Sequence, residues 1–408
     1  MTRKVDRREA LTRMTGAWMA GAWMAETGTR GAPFVGRAFR KRQVDRIVVV
    51  GAGVLGAATA YRLATRGAHV VLCEKNEPAS GASGKSGAWL NAYATKLPRH
   101  YYELSHQGTL EWRVLEDAVP GLDVNWCGRV EWRPGPDRSD DAVAAIARQQ
   151  AWGYPIESLD ADALAKIAPL LRTPELLSMS VYARGEGTVH PTKTVMALVE
   201  AASTAGVDVR LGWEMTAIRK TARGVTGVDT NHGTIEADAV VIAAGVDTPG
   251  LAALADVHVP LQDAPGVLAH GRTPTDPRTP IIVGPDVVLI PYSGGEYRFL
   301  GGFTGEIAYS SEKPASERLE AERVIAIAKE RFRGMEQLEL TNVTVGWRPL
   351  PIDGHPIIGF PERAPGVYVM VTHSGFTLAA TLSRLAASEI LDGVRADRLA
   401  PYRVERFA

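Results

Sequence analysis

From residue 46 onward the chain cycles through short β-branched runs, helix-length stretches of small apolar residues, and glycine turns. Ile47-Val48-Val49-Val50 is apolar at every position, the pattern of a strand buried on both faces of a parallel sheet. Gly51-Ala52-Gly53-Val54-Leu55-Gly56 follows at once, and 57–66 read as a helix that packs Ala58, Tyr61, Leu63 and Ala64 before Gly67 closes it. A second strand over 69–73 ends at Glu74. Pro191 near its first turn introduces a helix over 192–205, which Gly206 ends. Strands are expected over 207–211, 215–219, 224–230 and 233–235. Val240-Val241-Ile242-Ala243-Ala244 forms a buried strand that runs into Gly245. Alternating β patterns cover 257–261, 287–290 and 297–300, and helices are expected over 141–150 and 315–332. Near the end, a strand over 367–371 leads through Thr372-His373-Ser374-Gly375 into a helix over 376–391.

Composition narrows the class of protein. With 408 residues, 45% apolar and 23% charged, the chain has ordinary globular composition and the length of two domains. It contains no run of 18 apolar residues, so no integral membrane helix is expected. Lys and Arg total 46 and Asp and Glu total 46, which gives no global reason to expect nucleic acid as a partner. Two cysteines, Cys73 and Cys127, exclude a disulfide framework and a Cys-rich zinc site, and no metal is expected.

The neutral total conceals an asymmetry. Residues 1–46 carry eleven basic and four acidic side chains, a net +7, and the remainder is −7. Arg7-Arg8-Glu9-Ala10-Leu11 precedes a weakly apolar stretch in which Gly-Ala-Trp-Met-Ala occurs twice. This resembles a twin-arginine export signal. Residues 1–45 are therefore expected outside the folded core. They read either as an export leader, which places the protein in the periplasm, or, on a cytoplasmic protein, as a basic tail or a misassigned start, since Met14, Met19 and Met24 each offer one.

Strand, Gly-x-Gly-x-x-Gly, helix, strand and acid together make a dinucleotide-binding unit. Gly51 allows the tight turn, Gly53 the approach of a pyrophosphate, and Gly56 close packing of helix on strand. The helix N-terminus, which Val54 and Leu55 lead into, offers free amides and a partial positive charge. Glu74 follows Gly51 by 23 residues, where an acid grips a ribose hydroxyl. Beyond Lys75, the small-residue loop with Ser80, Gly81, Ala82 and Ser83 brings backbone amides close to a flat or anionic ligand.

Later motifs choose between NAD and FAD. The Ala79-to-Gly84 loop, Gly187-x-x-x-Pro191 before a helix, Ile242-Ala243-Ala244-Gly245, and Gly346-Trp347-Arg348-Pro349 with Asp353-Gly354-x-Pro356-Ile357-Ile358-Gly359 occur in that order. Over roughly 46–395 the chain resembles the flavin-dependent D-amino-acid oxidase and dehydrogenase superfamily, which includes glycine oxidase and sarcosine oxidase. The resemblance implies an α/β (α+β) fold, with a Rossmann-like FAD-binding domain of glutathione-reductase type and an interleaved antiparallel-sheet substrate domain. It implies FAD domain segments 46–115, 186–255 and 345–400, and substrate domain segments 116–185 and 256–344.

The resemblance also implies non-covalent FAD held by the glycine motif, Glu74, Lys75, the loop at 80–83, Val209, Ala244, Gly245, and the amides of Gly375, Phe376 and Thr377. Arg348 would hold a substrate carboxylate through its planar fork, the alternative being a structural salt bridge to Asp353 or another acid. Many relatives read Gly-His-Gly where this chain reads His373-Ser374-Gly375. His373 is then a candidate base or a pocket-lining residue, and Tyr292, on an expected strand, a candidate to hydrogen-bond a carboxylate or line the pocket. The implied activity is C–N oxidation of a small D-amino acid or related amino or imino acid, with oxygen, a quinone or a partner protein as electron acceptor. C–OH oxidation of a 2-hydroxyacid, a flavin-binding non-catalytic subunit, and an NAD-dependent dehydrogenase are the competing readings.

Overall fold

Two sheets carry the architecture. The computed structural model describes residues 44–92, 96–135, 140–174, 176–274, 278–301 and 316–408, and all of these lie in one compact unit. The leader reading therefore falls outside the described residues, apart from Val44 and Asp45. No helix among the described residues is long and apolar enough to cross a membrane.

The first sheet has six strands in the order Ile357–Gly359, Val367–Val371, Ala239–Ile242, Arg46–Val50, His69–Glu74 and Asp208–Leu211. All neighbours are parallel except the first pair. Its apolar strands have both faces covered. Ile47 and Val49 pack with helices Val54–Ala64, Pro191–Thr204 and Gly375–Asp392. Val48 and Val50 face Met215, Ile218, Val225, Val228 and Ile235 of a three-stranded antiparallel sheet.

The second sheet has eight strands, in the order Glu339–Trp347, Pro265–Arg272, Glu296–Gly301, Val287–Pro291, Ile281–Val283, Arg129–Pro134, Leu177–Ala183 and Ile156–Ser158. It is antiparallel apart from the pairing of Ile281–Val283 with Arg129–Pro134. Helix Glu317–Arg331 covers one face, burying Ala321, Val324, Ile325 and Ala328 against Trp132, Leu289 and Phe299. Ser316 caps that helix by accepting from the Leu319 amide at 3.3 Å. Glu317 and Glu320 in its first turn, with Lys329 and Arg331 in its last, complement the helix dipole.

Two elements differ from the sequence expectation. The alternation over 257–261 predicts a strand, but the strand is only Leu261–Gln262. Val257 and Val259 pack instead into the core beside Val48 and Ile242, a covered irregular segment that mimics strand alternation. Helix Arg99–Ala118 was not expected from the sequence. Its polar residues and mid-helix Gly108 mask the period. That glycine has a packing reason, because a Cβ there would lie 2.3 Å from the Thr377 carbonyl oxygen. The close approach seats this helix on helix Gly375–Asp392, where the Trp112 indole donates to the Phe376 carbonyl at 2.6 Å.

Candidate active site

At the carboxyl end of the parallel strands, the backbone itself builds the first cavity. The Gly51 amide donates to the Cys73 carbonyl at 2.8 Å and bends the chain out of its strand. Gly51 has φ +102, and a Cβ there would lie 2.7 Å from the Ala243 carbonyl oxygen. A Cβ on Gly56 would lie 1.9 Å from the Gly51 carbonyl oxygen. No side chain fits at either place.

The Glu74 carboxylate accepts from the Ala52 amide at 2.8 Å and the Asn76 amide at 2.9 Å, which fixes its orientation at the rim. Ser83 Oγ accepts from the Val54 amide at 3.1 Å, tying the small-residue loop to the helix start. Lys75 and Asp247 pair at 2.9 Å across the mouth.

The cavity encloses about 650 Å³, within the range of cofactor sites. It runs from Glu74 and Trp213 past Gly53 to His373, Gly375 and Phe376. Helices Val54–Ala64 and Gly375–Asp392 both begin on it, and neither receives a cap from its own N-cap side chain. Two helix starts without a cap from their own N-cap side chains, a glycine cradle and an oriented carboxylate suit a long molecule that is anionic in its middle and at one end. FAD fits that description.

A second cavity of about 450 Å³ adjoins the first and shares Ala82, Ser86, Pro349, His373 and Phe376 with it. Arg348 lines only this second space. Its amide donates to the Ala264 carbonyl at 2.9 Å and Nη1 to the Pro265 carbonyl at 2.6 Å. The guanidinium lies over Gly266, where a Cβ would be 2.5 Å from Nη2. Asp353 is not its partner, because that carboxylate pairs with Arg406 at 2.7 Å.

His373 lines both cavities and also a third of about 390 Å³, which it shares with Lys96, Ser374 and Asp353. Burial, Lys96 and Arg348 together push its imidazole down to about 3. The ring is therefore neutral at physiological pH and a weak base, able to hold a hydrogen bond but not a stored proton. Next to it, Lys96 Nζ donates to Ser374 Oγ at 2.6 Å, and Tyr101 Oη lies 2.8 Å from the same oxygen.

Several candidate residues stand elsewhere. Tyr292 lies behind the cavity wall, where its hydroxyl donates to the Gly87 carbonyl at 2.5 Å. Burial pushes that phenol up to about 12. With its proton committed to the backbone, Tyr292 braces the wall and does not offer a hydrogen bond to a carboxylate. Val209 pairs with Leu72 inside the sheet and lines neither cavity. Gly56 acts through packing, not contact with the cleft. Thr377 lines the second cavity only; its hydroxyl donates to the Trp89 carbonyl at 3.1 Å and accepts from the Asn91 amide at 3.2 Å.

Residues missed from the sequence include Trp213, Asp247, Lys96 and the far wall of the second cavity. That wall is strand Arg129–Pro134, which places Arg129, Glu131 and Arg133 toward the cavity and Val130 and Trp132 toward the sheet core. The alternating Arg-Val-Glu-Trp-Arg pattern was the available signal. Behind it, the buried Glu186 accepts from Tyr154 Oη at 2.5 Å and Trp89 Nε1 at 2.7 Å.

The fold and the paired cavities define a dinucleotide-dependent oxidoreductase. The family model for FAD-dependent oxidoreductases, DAO, matches residues 46–389, and the chain belongs to that family. FAD, not NAD, is its cofactor. Glycine oxidase of Geobacillus kaustophilus is 28% identical over 375 residues, covering 88% of this chain and 96% of the relative. A D-amino acid dehydrogenase of Cereibacter sphaeroides is 27% identical over 424 residues, covering 89% and 95%. The crystal structure of an L-proline dehydrogenase from P. horikoshii superposes with a TM-score of 0.78 at 20% identity, covering 90% of this chain and 98% of that one.

Burial also bears on how FAD is held. It raises the Cys73 thiol to about 11 and the Cys127 thiol to about 12, so neither readily supplies the thiolate a flavin thioether needs.

Proposed function

We propose that this flavoenzyme oxidises the C–N bond of a small amino or imino acid. The observation that carries the reading is the placement of Arg348. It faces a cavity that opens, through His373 and Phe376, onto the end of the dinucleotide cleft. A carboxylate held in its fork brings the adjacent α-carbon to that junction.

The flavin, when bound, supplies the acceptor for the hydride lost from the α-carbon. The chain's residues do the rest. Arg348 binds and orients; the Ala264 carbonyl anchors its backbone amide and the Pro265 carbonyl holds its fork. The amides opening helix Gly375–Asp392 stabilise negative charge at the far end of the first cavity. His373, being neutral, adds no charge of its own to the positive field of Lys96 and Arg348. The substrate reacts with its amine unprotonated; hydride loss leaves a protonated imine, which takes up water in solution and releases ammonia or an amine.

Anaerobic bleaching of the yellow holoenzyme tests this, using glycine, sarcosine, both enantiomers of neutral and acidic amino acids, proline, and 2-hydroxyacids. Bleaching by amino or imino acids supports C–N oxidation. Bleaching by 2-hydroxyacids alone replaces it with C–OH oxidation. Reoxidation by air, a soluble quinone or cell membranes then identifies the acceptor. Two destinations are proposed for the chain, export by the twin-arginine route and the cytoplasm, and fractionation with N-terminal sequencing of the mature protein separates them.

A further inference from the structure

The second cavity has a charge imbalance that one substrate carboxylate does not answer. Among the described residues its wall carries five basic side chains, Lys85, Lys96, Arg129, Arg133 and Arg348, and one carboxylate, Glu131. Part of this is settled internally. Arg129 pairs with Glu131 and lies 4.0 Å from the buried Glu186. Lys96, only 6% exposed, has a hydroxyl partner, and among the described residues no carboxylate lies within ion-pair distance. A cation held away from water costs free energy unless an anion faces it. This cavity is therefore completed by negative charge from its ligand.

Arg133 is the group on the far wall best placed to supply a second anchor. Its side chain is 31% exposed, and Nη2 donates to Glu131 Oε1 at 3.1 Å. Among the described residues that is the side chain's one hydrogen bond, so most of a five-donor fork remains for a ligand. Arg348 rests on strand Pro265–Arg272, whereas Arg133 lies on strand Arg129–Pro134, with three strands of the sheet between them. The two forks thus enter the cavity from separate sides. The wall between them is apolar, with Val283, Ile290, Leu300 and Trp89. Cations on two sides of an apolar middle match a short carbon chain with an anion at each end.

We propose that the substrate is a dicarboxylic amino or imino acid, with its α-carboxylate on Arg348 and its distal carboxylate on Arg133. This rests on the C–N reading above and specifies its substrate class. Arg133 is a specificity residue that touches the distal carboxylate, and it takes no part in the transfer at the α-carbon.

The test compares glutamate with its neutral isostere glutamine, and aspartate with asparagine, each as the enantiomer that bleaches the holoenzyme. The expected kcat/KM is at least tenfold higher for the acid in one or both pairs. In Arg133→Gln that acid-to-amide ratio falls at least tenfold, through KM and not kcat, and Arg133→Lys restores part of it. Binding is read independently of turnover. Glutarate or succinate shifts the flavin spectrum at least tenfold more tightly than butyrate, and quenches apoprotein tryptophan fluorescence with the same preference.

Equal or better use of the amides overturns the proposal and leaves C–N oxidation standing. An unchanged ratio in a folded, flavin-loaded Arg133→Gln also overturns it. A yellow protein bleached by no amino or imino acid overturns both readings.

Discussion

The two cavities that meet at His373 are built by opposite means. The dinucleotide cleft is made of backbone: glycines with no room for a Cβ, amides that orient Glu74, and two helix starts. The adjoining cavity is made of side chains drawn from distant segments, among them Lys96, Arg133 and Arg348. Backbone sites tolerate little substitution at a few positions. Side-chain sites permit many substitutions, each of which changes what is bound.

The largest effect is therefore expected in the cleft. Gly56→Ala places a methyl group against the Gly51 carbonyl, a contact no rotamer relieves. Purified variant protein should carry at least tenfold less FAD per chain, measured by absorbance after denaturation. Normal flavin content in Gly56→Ala would break the backbone account of this site.

Arg348→Met comes next, and it should retain FAD. Losing one partner of a buried, hydrogen-bonded charge pair costs about 2–5 kcal/mol, or roughly 30-fold to several thousand-fold in kcat/KM. Steady-state kinetics decide it, and a loss under threefold would remove Arg348 from the carboxylate.

The third prediction concerns pH. Burial holds His373 at about 3 and His270 at about 4, against about 6.5 for an unfolded histidine. Below pH 6.5 the unfolded chain takes up these protons first, so folded stability is lost as pH falls from there toward 4. Each group contributes a slope approaching about 1.4 kcal/mol per pH unit. Urea denaturation of the apoprotein at stepped pH should show a shallower slope in His373→Gln.

The smallest effect belongs to Tyr292→Phe, which removes the bond to Gly87 and costs about 1 kcal/mol of stability. Its kcat/KM should change less than threefold. A loss of a hundredfold would return Tyr292 to the substrate.

The same division explains what could be read in advance. Backbone constraints leave local marks, so Gly51, Gly53, Gly56, Glu74 and the start of the last long helix were recognisable from spacing alone. Side-chain walls depend on which strands become neighbours. Arg129–Pro134 meets Ile281–Val283 through a pairing about 150 residues apart in the chain, and no local pattern announces it. Tyr292 fits an alternating pattern, yet one hydrogen bond to Gly87 turns its polar end away from the ligand space. Helix Arg99–Ala118 leaves no local mark of this kind, because its central glycine reads as a breaker and the reason for it, the opposing carbonyl of Thr377, lies far along the chain.

That glycine seam also fixes one wall of the site. With Gly108 against the Thr377 carbonyl and Trp112 bonded to Phe376, the helix beside the flavin end is bolted to its neighbour. Sliding there would break both contacts at once. One wall of the second cavity, at Phe376 and Thr377, is thereby tied to two helices at once, whereas its exposed residues Lys85 and Trp347 lie on a turn and at a strand end.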